Sequence, residues 1–490
     1  IHCSTTLLTP GRPHDARASI NLPGFEILSF PTAGQNCLLF DTMHPCSTMR
    51  FHPRDLTWSA TMVTGGGLNS CAYAGDHTPS TPSHQPAALL GFTETDRQPV
   101  YLSTTSVHDD DREPLLLIIG STGSGKTMCL LSLAFQWAQI PTRTTRKPTP
   151  VVFIDPKETS DFSTPVLAAG GHVYSMDNDL SNGIFDPMTI LEDPEEAKNT
   201  AAIMLSTILD PTGQHPEWET AMTEILDYGI KHGATCCGEA ITRAWDDWQH
   251  AHTHHQPTIL PDLTGRVHDD LMRLASTSQT FGLIFGTTGH HTPLRMTGGL
   301  TLIQAGHRSL VPLPGSEKTV TGRIQQWVLR LTVMGAGAAV RGRDGMVILD
   351  EAWVALGADS ASTVAQWGRL ARSQRFTPVL ASQKVQEFVD AHLEGAVSRG
   401  LLLSLDDMDD SLGTSNARNA LTLLHVTDPF GRIRHRMSLD ATIENGQPNW
   451  MSMKALHDPT TGHVLRGSIA YFIDGGHSPV PVEIVIPPHV

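Results

Sequence analysis

Cysteine is scarce in this chain: seven among 490 residues (Cys3, Cys37, Cys46, Cys71, Cys129, Cys236 and Cys237), with no C-x-x-C spacing. An odd count without paired spacing argues against a disulfide framework and points to a reducing compartment, where thiols serve as small apolar fillers. Basic residues are also in deficit, 34 Lys and Arg against 50 Asp and Glu, for a formal charge of -16. That balance excludes a general electrostatic pull on nucleic acid or anionic lipid, because phosphate binding rests on Lys and Arg. Any contact with DNA is therefore expected to be local, for instance in the pore of an oligomer. The 25 histidines do not alter this near pH 7, where unperturbed imidazole is mostly neutral. Long apolar runs are missing too, since none reaches the ~18 uninterrupted residues that a membrane helix needs. Leu115 to Ile119 and Leu331 to Val340 come nearest and read as core elements. Ile1 to Cys3 does not lead from a charged segment into an apolar one, so no signal peptide is expected. The sequence is expected to start inside a longer protein.

What is present reads as globular: 39% apolar and 17% charged residues, in a chain long enough for roughly two to four compact units. Residues 1–85 mix short apolar runs (Phe25 to Phe30, Cys37 to Phe40) with turn residues such as Gly65-Gly66-Gly67. They end in the Pro- and Ser-rich stretch Thr78 to Pro86, which reads as a linker after the tail of an N-terminal domain. Residues 86–190 open with strand-like runs such as Pro99 to Leu102. The continuous apolar run Leu115 to Ile119 follows, of the kind a parallel strand buried on both faces shows. Helical spacing from Lys126 to Ala138 and a second apolar strand, Val151 to Ile154, complete a βαβ unit. Residues 191–295 read as a mostly helical insertion, with helices over Pro194 to Leu209, Glu217 to His232, Ala240 to His250 and Asp262 to Ala275. Residues 296–490 return to the α/β pattern: helix Gln325 to Val333, strand Met346 to Leu349, helix Ala361 to Ser373, strand Pro378 to Ala381, helix Lys384 to Ala391, strand Leu401 to Leu403. The fold class expected is α/β, a mainly parallel sheet flanked by helices.

The segment Gly120-Ser121-Thr122-Gly123-Ser124-Gly125-Lys126-Thr127 matches G-x-x-x-x-G-K-[ST] and stands between a buried strand and a helix start. Glycines let backbone N–H groups fold around phosphates, and the helix N-terminus favours their charge. Those eight residues and Cys129 are the candidate nucleotide contacts, with Lys126 reaching the β- and γ-phosphates of ATP and the Thr127 hydroxyl ligating Mg²⁺. Asp350 ends an apolar strand and is expected to hold Mg²⁺ through water; Glu351 is placed to polarise the attacking water. An Asp-Glu pair alone is commonly a solvated turn, but the glycine loop upstream favours the functional reading. Gln383, after the strand Pro378 to Ser382, is a candidate sensor of the γ-phosphate, against the alternative that it merely starts a helix. Arg372 and Arg375 are candidates for a phosphate-facing arginine acting in trans, against the alternative of surface arginines.

These residues also resemble a family. Asp350-Glu351-Ala352-Trp353 is similar to the acidic signature of the type IV secretion and conjugative-transfer core ATPases of the VirB/TraC class. Phe153-Ile154-Asp155-Pro156-Lys157 resembles that family's strand after the glycine loop. Gly170-Gly171 to Ser175, with Asn182 to Pro187, resembles its Gly-Gly strand and Asn-Pro-Phe-type loop, although Ile184-Phe185 interrupts the Asn-Pro pair. Arg372 with Ala381-Ser382-Gln383 resembles its arginine followed by Ala-Thr-Gln. The likeness spans roughly residues 87–475, and only the glycine loop and Asp350 to Trp353 are individually specific. It implies a RecA-like P-loop ATPase with a helical insertion, working as a homo-hexamer at the cytoplasmic face of the inner membrane beside channel proteins of a secretion system. Within that resemblance Lys126, Glu351, Gln383 and Arg372 are the expected catalytic residues, and Thr127 and Asp350 the metal ligands. The rival reading is a DNA-translocating motor of the coupling-protein, FtsK or HerA type, which the acidic balance disfavours. A nucleotide-gated scaffold is a third, disfavoured by the intact Lys126, Asp350 and Glu351.

Other constellations carry less. His250, His252, His254 and His255 near Cys236-Cys237 lack the second cysteine pair of a tetrahedral zinc site. His290-His291 adds nothing to them. The run Asp406 to Asp410 (with Met408) has no ligand-loop glycine and reads as a solvated acidic loop. Trp353, just past a strand end, is read as core packing rather than a base-stacking surface.

Overall fold

The computed structural model describes residues 2–3, 56–57, 74–76, 87–109, 112–142, 146–157, 162–176, 182–288, 298–305, 319–352, 371–383, 385–390, 397, 399–405, 415–475 and 478–486. The expectations for 4–55, 58–73, the Thr78 to Pro86 linker, His290-His291, Trp353, residues 361–370, Lys384, Ala391 and Asp406 to Asp410 lie outside those residues. The chain divides into two compact units, Ile1–Ala72 and Tyr73–Val490. In the first, His2–Cys3 pairs antiparallel with Leu56–Thr57.

The second unit is built on one eleven-stranded sheet. Its strands in chain order are β1 (Ala88–Thr93), β2 (Pro99–Leu102), β3 (Leu116–Ile119), β4 (Pro150–Asp155), β5 (His172–Ser175), β6 (Gly299–Gln304), β7 (Gly345–Leu349), β8 (Phe376–Ser382), β9 (Arg399–Leu402), β10 (Ile469–Asp474) and β11 (Val480–Ile484). Across the sheet they lie in the order β2-β1-β11-β10-β9-β3-β8-β7-β4-β6-β5. From β9 to β5 every pairing is parallel. From β9 outward through β10, β11, β1 and β2 every pairing is antiparallel.

The apolar runs explain the parallel half. Side chains alternate across a strand, and here both sides are covered. Leu117 and Ile119 of β3 join one apolar cluster, Leu116 and Ile118 the other. The same split holds for Val152 and Ile154 against Val151 and Phe153, and for Val347 and Leu349 against Met346 and Ile348. Fully burying one such side chain contributes roughly 1.5–3 kcal/mol. A strand apolar at every position is therefore stable only between two layers.

One layer holds α1 (Lys126–Gln139), whose Leu130, Leu133, Ala134 and Trp137 pack on the second cluster. The other layer holds α2 (Pro194–Leu209), α3 (Glu217–Lys231), α4 (Cys237–Thr253), α5 (Thr264–Thr277) and α6 (Val320–Val340). Asp193 starts α2 by accepting from Glu195 N, with Pro194 in the first turn, where its missing N–H costs nothing. Asp186 ties this layer together: its buried carboxylate accepts from Met188 N, Cys237 N and Gly286 N at 2.9, 3.0 and 2.9 Å. Burial pushes its pKa up, against the pull of those donors. The helix α6 is longer than the apolar spacing of Gln325 to Val333 predicts, because its late glycines are packing sites rather than breakers. A Cβ on Gly335 would stand 2.8 Å from the Phe185 ring, and one on Gly337 2.8 Å from the Phe376 ring.

Candidate functional site

The site forms where β3, β8, β7 and β4 end on the same edge of the sheet. Parallel neighbours deliver their C-terminal residues side by side. Ile119 of β3 is registered with Ser382 of β8, and Leu349 of β7 with both Leu380 of β8 and Ile154 of β4. The chain leaves β3 through the glycine loop, held from below by Gly120 N to Ser382 O (3.1 Å) and Ser121 N to Ser404 O (2.9 Å). Gly123 and Gly125 have φ of 76° and 94°, conformations that L side chains rarely adopt. Space demands glycine as well: a Cβ on Gly125 would stand 2.5 Å from Ser468 Oγ, and one on Gly120 would collide with Ser124 Oγ. That Ser124 hydroxyl is fully buried and has no hydrogen-bond partner among the described residues.

Lys126 begins α1 and is 5% exposed. Its Nζ lies 3.3 Å from Asp350 Oδ1 and 3.5 Å from Glu351 Oε1, yet makes no aligned hydrogen bond among the described residues. Asp350 is fully buried just past β7, its N–H donating to Ile154 O at 3.2 Å. Glu351 follows with φ 52°, left-handed for a non-glycine residue, which turns its side chain back toward the loop. Gln383 joins the group: its Nε2 donates to Glu351 Oε1 at 2.6 Å while its Oε1 accepts from Thr122 Oγ1 at 2.8 Å. Thr127 is half-buried in the first turn of α1. Cys129 is fully buried on the same helix, in the apolar cluster under it, and burial pushes its thiol up to about 12.

One residue of this group carried no role in the sequence reading. Lys157 follows β4, and its Nζ lies 3.0 Å from Asp350 Oδ2 and 3.4 Å from Glu351 Oε1. Burial alone would lower its pKa; Asp350, Glu351 and Asp155 outweigh that and raise it. Its only sequence signal was the Asp155-Pro156-Lys157 string after an apolar strand.

The two arginines stand elsewhere. Arg372, exposed, and Arg375 precede β8 at its other end, seven residues of extended chain or about 20 Å from Gln383. Arg375 is engaged there by Asp344 at 2.9 Å and Asp109 at 3.4 Å. Among the described residues no group of three or more His, Cys, Asp or Glu side chains is arranged to hold a metal ion. His250 and His254 stack on each other along α4, ring centroids 4.2 Å apart. No described helix is long and apolar enough to cross a membrane.

The sheet order, with a glycine loop between its central strand and α1 and an acidic pair two strands away, defines a RecA-like P-loop NTPase fold. The structure of VirB4 of Thermoanaerobacter pseudethanolicus shares it with a TM-score of 0.53 at 14% sequence identity, over 85% of this chain and 99% of that one. The plasmid coupling protein TrwB, in complex with ADP and Mg²⁺, gives 0.44 at 14% identity, over 82% of this chain and 91% of that one. The cytoplasmic domain of the Thermomonospora curvata type VII secretion ATPase EccC gives 0.27 at 12% identity, over 84% of this chain and 27% of that one. Neither a family model nor a curated protein matches the sequence.

Proposed function

We propose that this chain hydrolyses ATP to ADP and phosphate and that the hydrolysis energises a type IV secretion or conjugative DNA transfer apparatus. The observation that carries the chemistry is the meeting of Lys126, the Asp350-Glu351 pair and Gln383 at one sheet edge, although these three segments lie apart in sequence. The loop fits a triphosphate by its left-handed glycines, its buried Ser124 hydroxyl without a partner among the described residues, and a dry lysine at a helix start. The Thr127 hydroxyl and the Asp350 carboxylate are the residues to hold magnesium. When bound, that ion supplies positive charge to the phosphate oxygens in the transition state.

In this reading Lys126 binds the terminal phosphates and neutralises charge that develops on them. Glu351 accepts the proton of the attacking water, and the Gln383 amide, anchored by Thr122, fixes the plane of that carboxylate. Arg372, exposed before the far end of β8, is the arginine assigned to the site of a neighbouring subunit in a homo-hexamer. The secretion role rests on the Asp350 to Trp353 and Asp155 to Lys157 resemblances together with the VirB4-like fold. In this reading the chain works as a homo-hexamer at the cytoplasmic face of the inner membrane beside channel proteins, as the family resemblance implies.

The test of the chemistry is Glu351→Gln. Turnover should fall about 10²- to 10³-fold, within the range of a lost general base, while nucleotide affinity is kept. Unchanged turnover would remove Glu351 from its role, and a wild-type chain inert toward Mg·ATP would overturn the function.

A further inference from the structure

We propose that Lys157 is a positioning residue of this site, the fixed counter-charge that sets the direction of the Asp350 and Glu351 carboxylates. The inference deepens the hydrolase reading above and rests on it. Its basis is the way β4 and β7 leave the sheet. The two strands are parallel neighbours with Ile154 opposite Leu349, so their exits run side by side. Pro156 restricts the turn after β4. Asp155, itself buried, accepts the Lys157 N–H on its Oδ1 at 3.1 Å. The backbone at Lys157 is thus pinned before its side chain extends, and the ammonium arrives beside Asp350, 193 positions later in sequence.

The contacts then divide cleanly. Asp350 Oδ1 faces Lys126 at 3.3 Å and Asp350 Oδ2 faces Lys157 at 3.0 Å, one ammonium for each oxygen. Of the two ammoniums only Lys157 makes an aligned hydrogen bond to Asp350 among the described residues; the Glu351 N–H donates to Asp350 Oδ1 at 3.1 Å. Glu351 Oε1 receives Gln383 Nε2 at 2.6 Å, with Lys157 at 3.4 Å and Lys126 at 3.5 Å. Lys126 belongs to the glycine loop and is the cation placed to turn to phosphate. Lys157 follows the strand next to the acidic one, so its attachment keeps it with the carboxylates. Its side chain, 40% exposed against 5% for Lys126, can be shortened or neutralised without opening the core.

The test is Lys157→Met, which keeps the aliphatic length and removes the charge. Steady-state hydrolysis and equilibrium binding of a fluorescent ATP analogue are measured on the full chain. The expected result is a fall in kcat of about tenfold, the scale of one misplaced catalytic group, with KM and analogue affinity within about twofold of wild type. Lys157→Arg should recover most of kcat, and in a Glu351→Gln background Lys157→Met should add almost no further loss. Wild-type kcat in Lys157→Met overturns the proposal, as does a parallel loss of analogue affinity, which would make Lys157 a phosphate ligand. Should the Met variant not fold, Lys157→Gln carries the same comparison. Failure of the hydrolase reading looks different: wild type and Lys157→Met would then both leave ATP uncleaved.

Discussion

The strand β8 has basic side chains against a pair of carboxylates at each end, Arg375 at one and Lys126 with Lys157 at the other, and the two clusters are built in opposite ways. At its amino end Arg375 donates from Nε to Asp344 Oδ1 at 3.0 Å and from Nη2 to Asp109 Oδ1 at 3.4 Å, with Nη2 also 2.9 Å from Asp344 Oδ1. Burial would lower its pKa, but Asp344 and Asp109 hold it raised; water still reaches the guanidinium, which is 42% exposed. At the carboxyl end Lys126 is dry and faces Asp350 and Glu351 without an aligned hydrogen bond among the described residues. Ser124 Oγ has no partner there, and Glu351 sits in a left-handed conformation. A buried charge without full hydrogen bonding costs several kcal/mol, so a fold retains it only where something else recovers the energy. The amino end therefore reads as a stabilising fork, and the carboxyl end as a site prepared for a ligand that brings its own charge.

Substitutions at the two ends should separate these roles. Lys126→Ala should weaken binding of a fluorescent ATP analogue about 10²- to 10³-fold, the scale of losing one partner of a desolvated charge pair. An affinity within tenfold of wild type would show that the dry end is merely structural. Arg375→Ala should leave that affinity unchanged and lower stability by about 1 kcal/mol, a value discounted for its exposure to water and read from the urea midpoint. Loss of nucleotide affinity in Arg375→Ala, with stability intact, would erase the contrast.

How much of this was legible in the sequence follows from how local each feature is. The strand β3 and the glycine loop were legible because strand, turn and helix start are contiguous there: four buried apolar residues, glycines at φ 76° and 94°, then Lys126. Asp350 was legible for the same reason, as the first acid after Gly345–Leu349. Lys157 carried no role because its partners are set by the register of β4 on β7, which no local pattern states. Helix ends were misjudged where glycine serves packing. The helix expected over Gln325 to Val333 runs over Val320–Val340, with Gly335 and Gly337 inside it, and α4 starts at Cys237, ahead of the expected Ala240. Gly238 is needed there because a Cβ would stand 2.5 Å from Gly286 O. Alternation and turns do not disclose that β10 and β11 extend the sheet antiparallel to meet β1 and β2, since such pairing is fixed only by the closed fold.

The central claim is that the glycine loop and the acidic strand share one metal-bound triphosphate. Electron paramagnetic resonance of Mn²⁺ added with ATP measures this directly. The account predicts one tightly bound Mn²⁺ per chain, coupled to phosphorus, with binding weakened at least tenfold in Asp350→Asn, as the loss of a charged metal partner implies. Mn·ATP bound equally well by wild type and Asp350→Asn would contradict it.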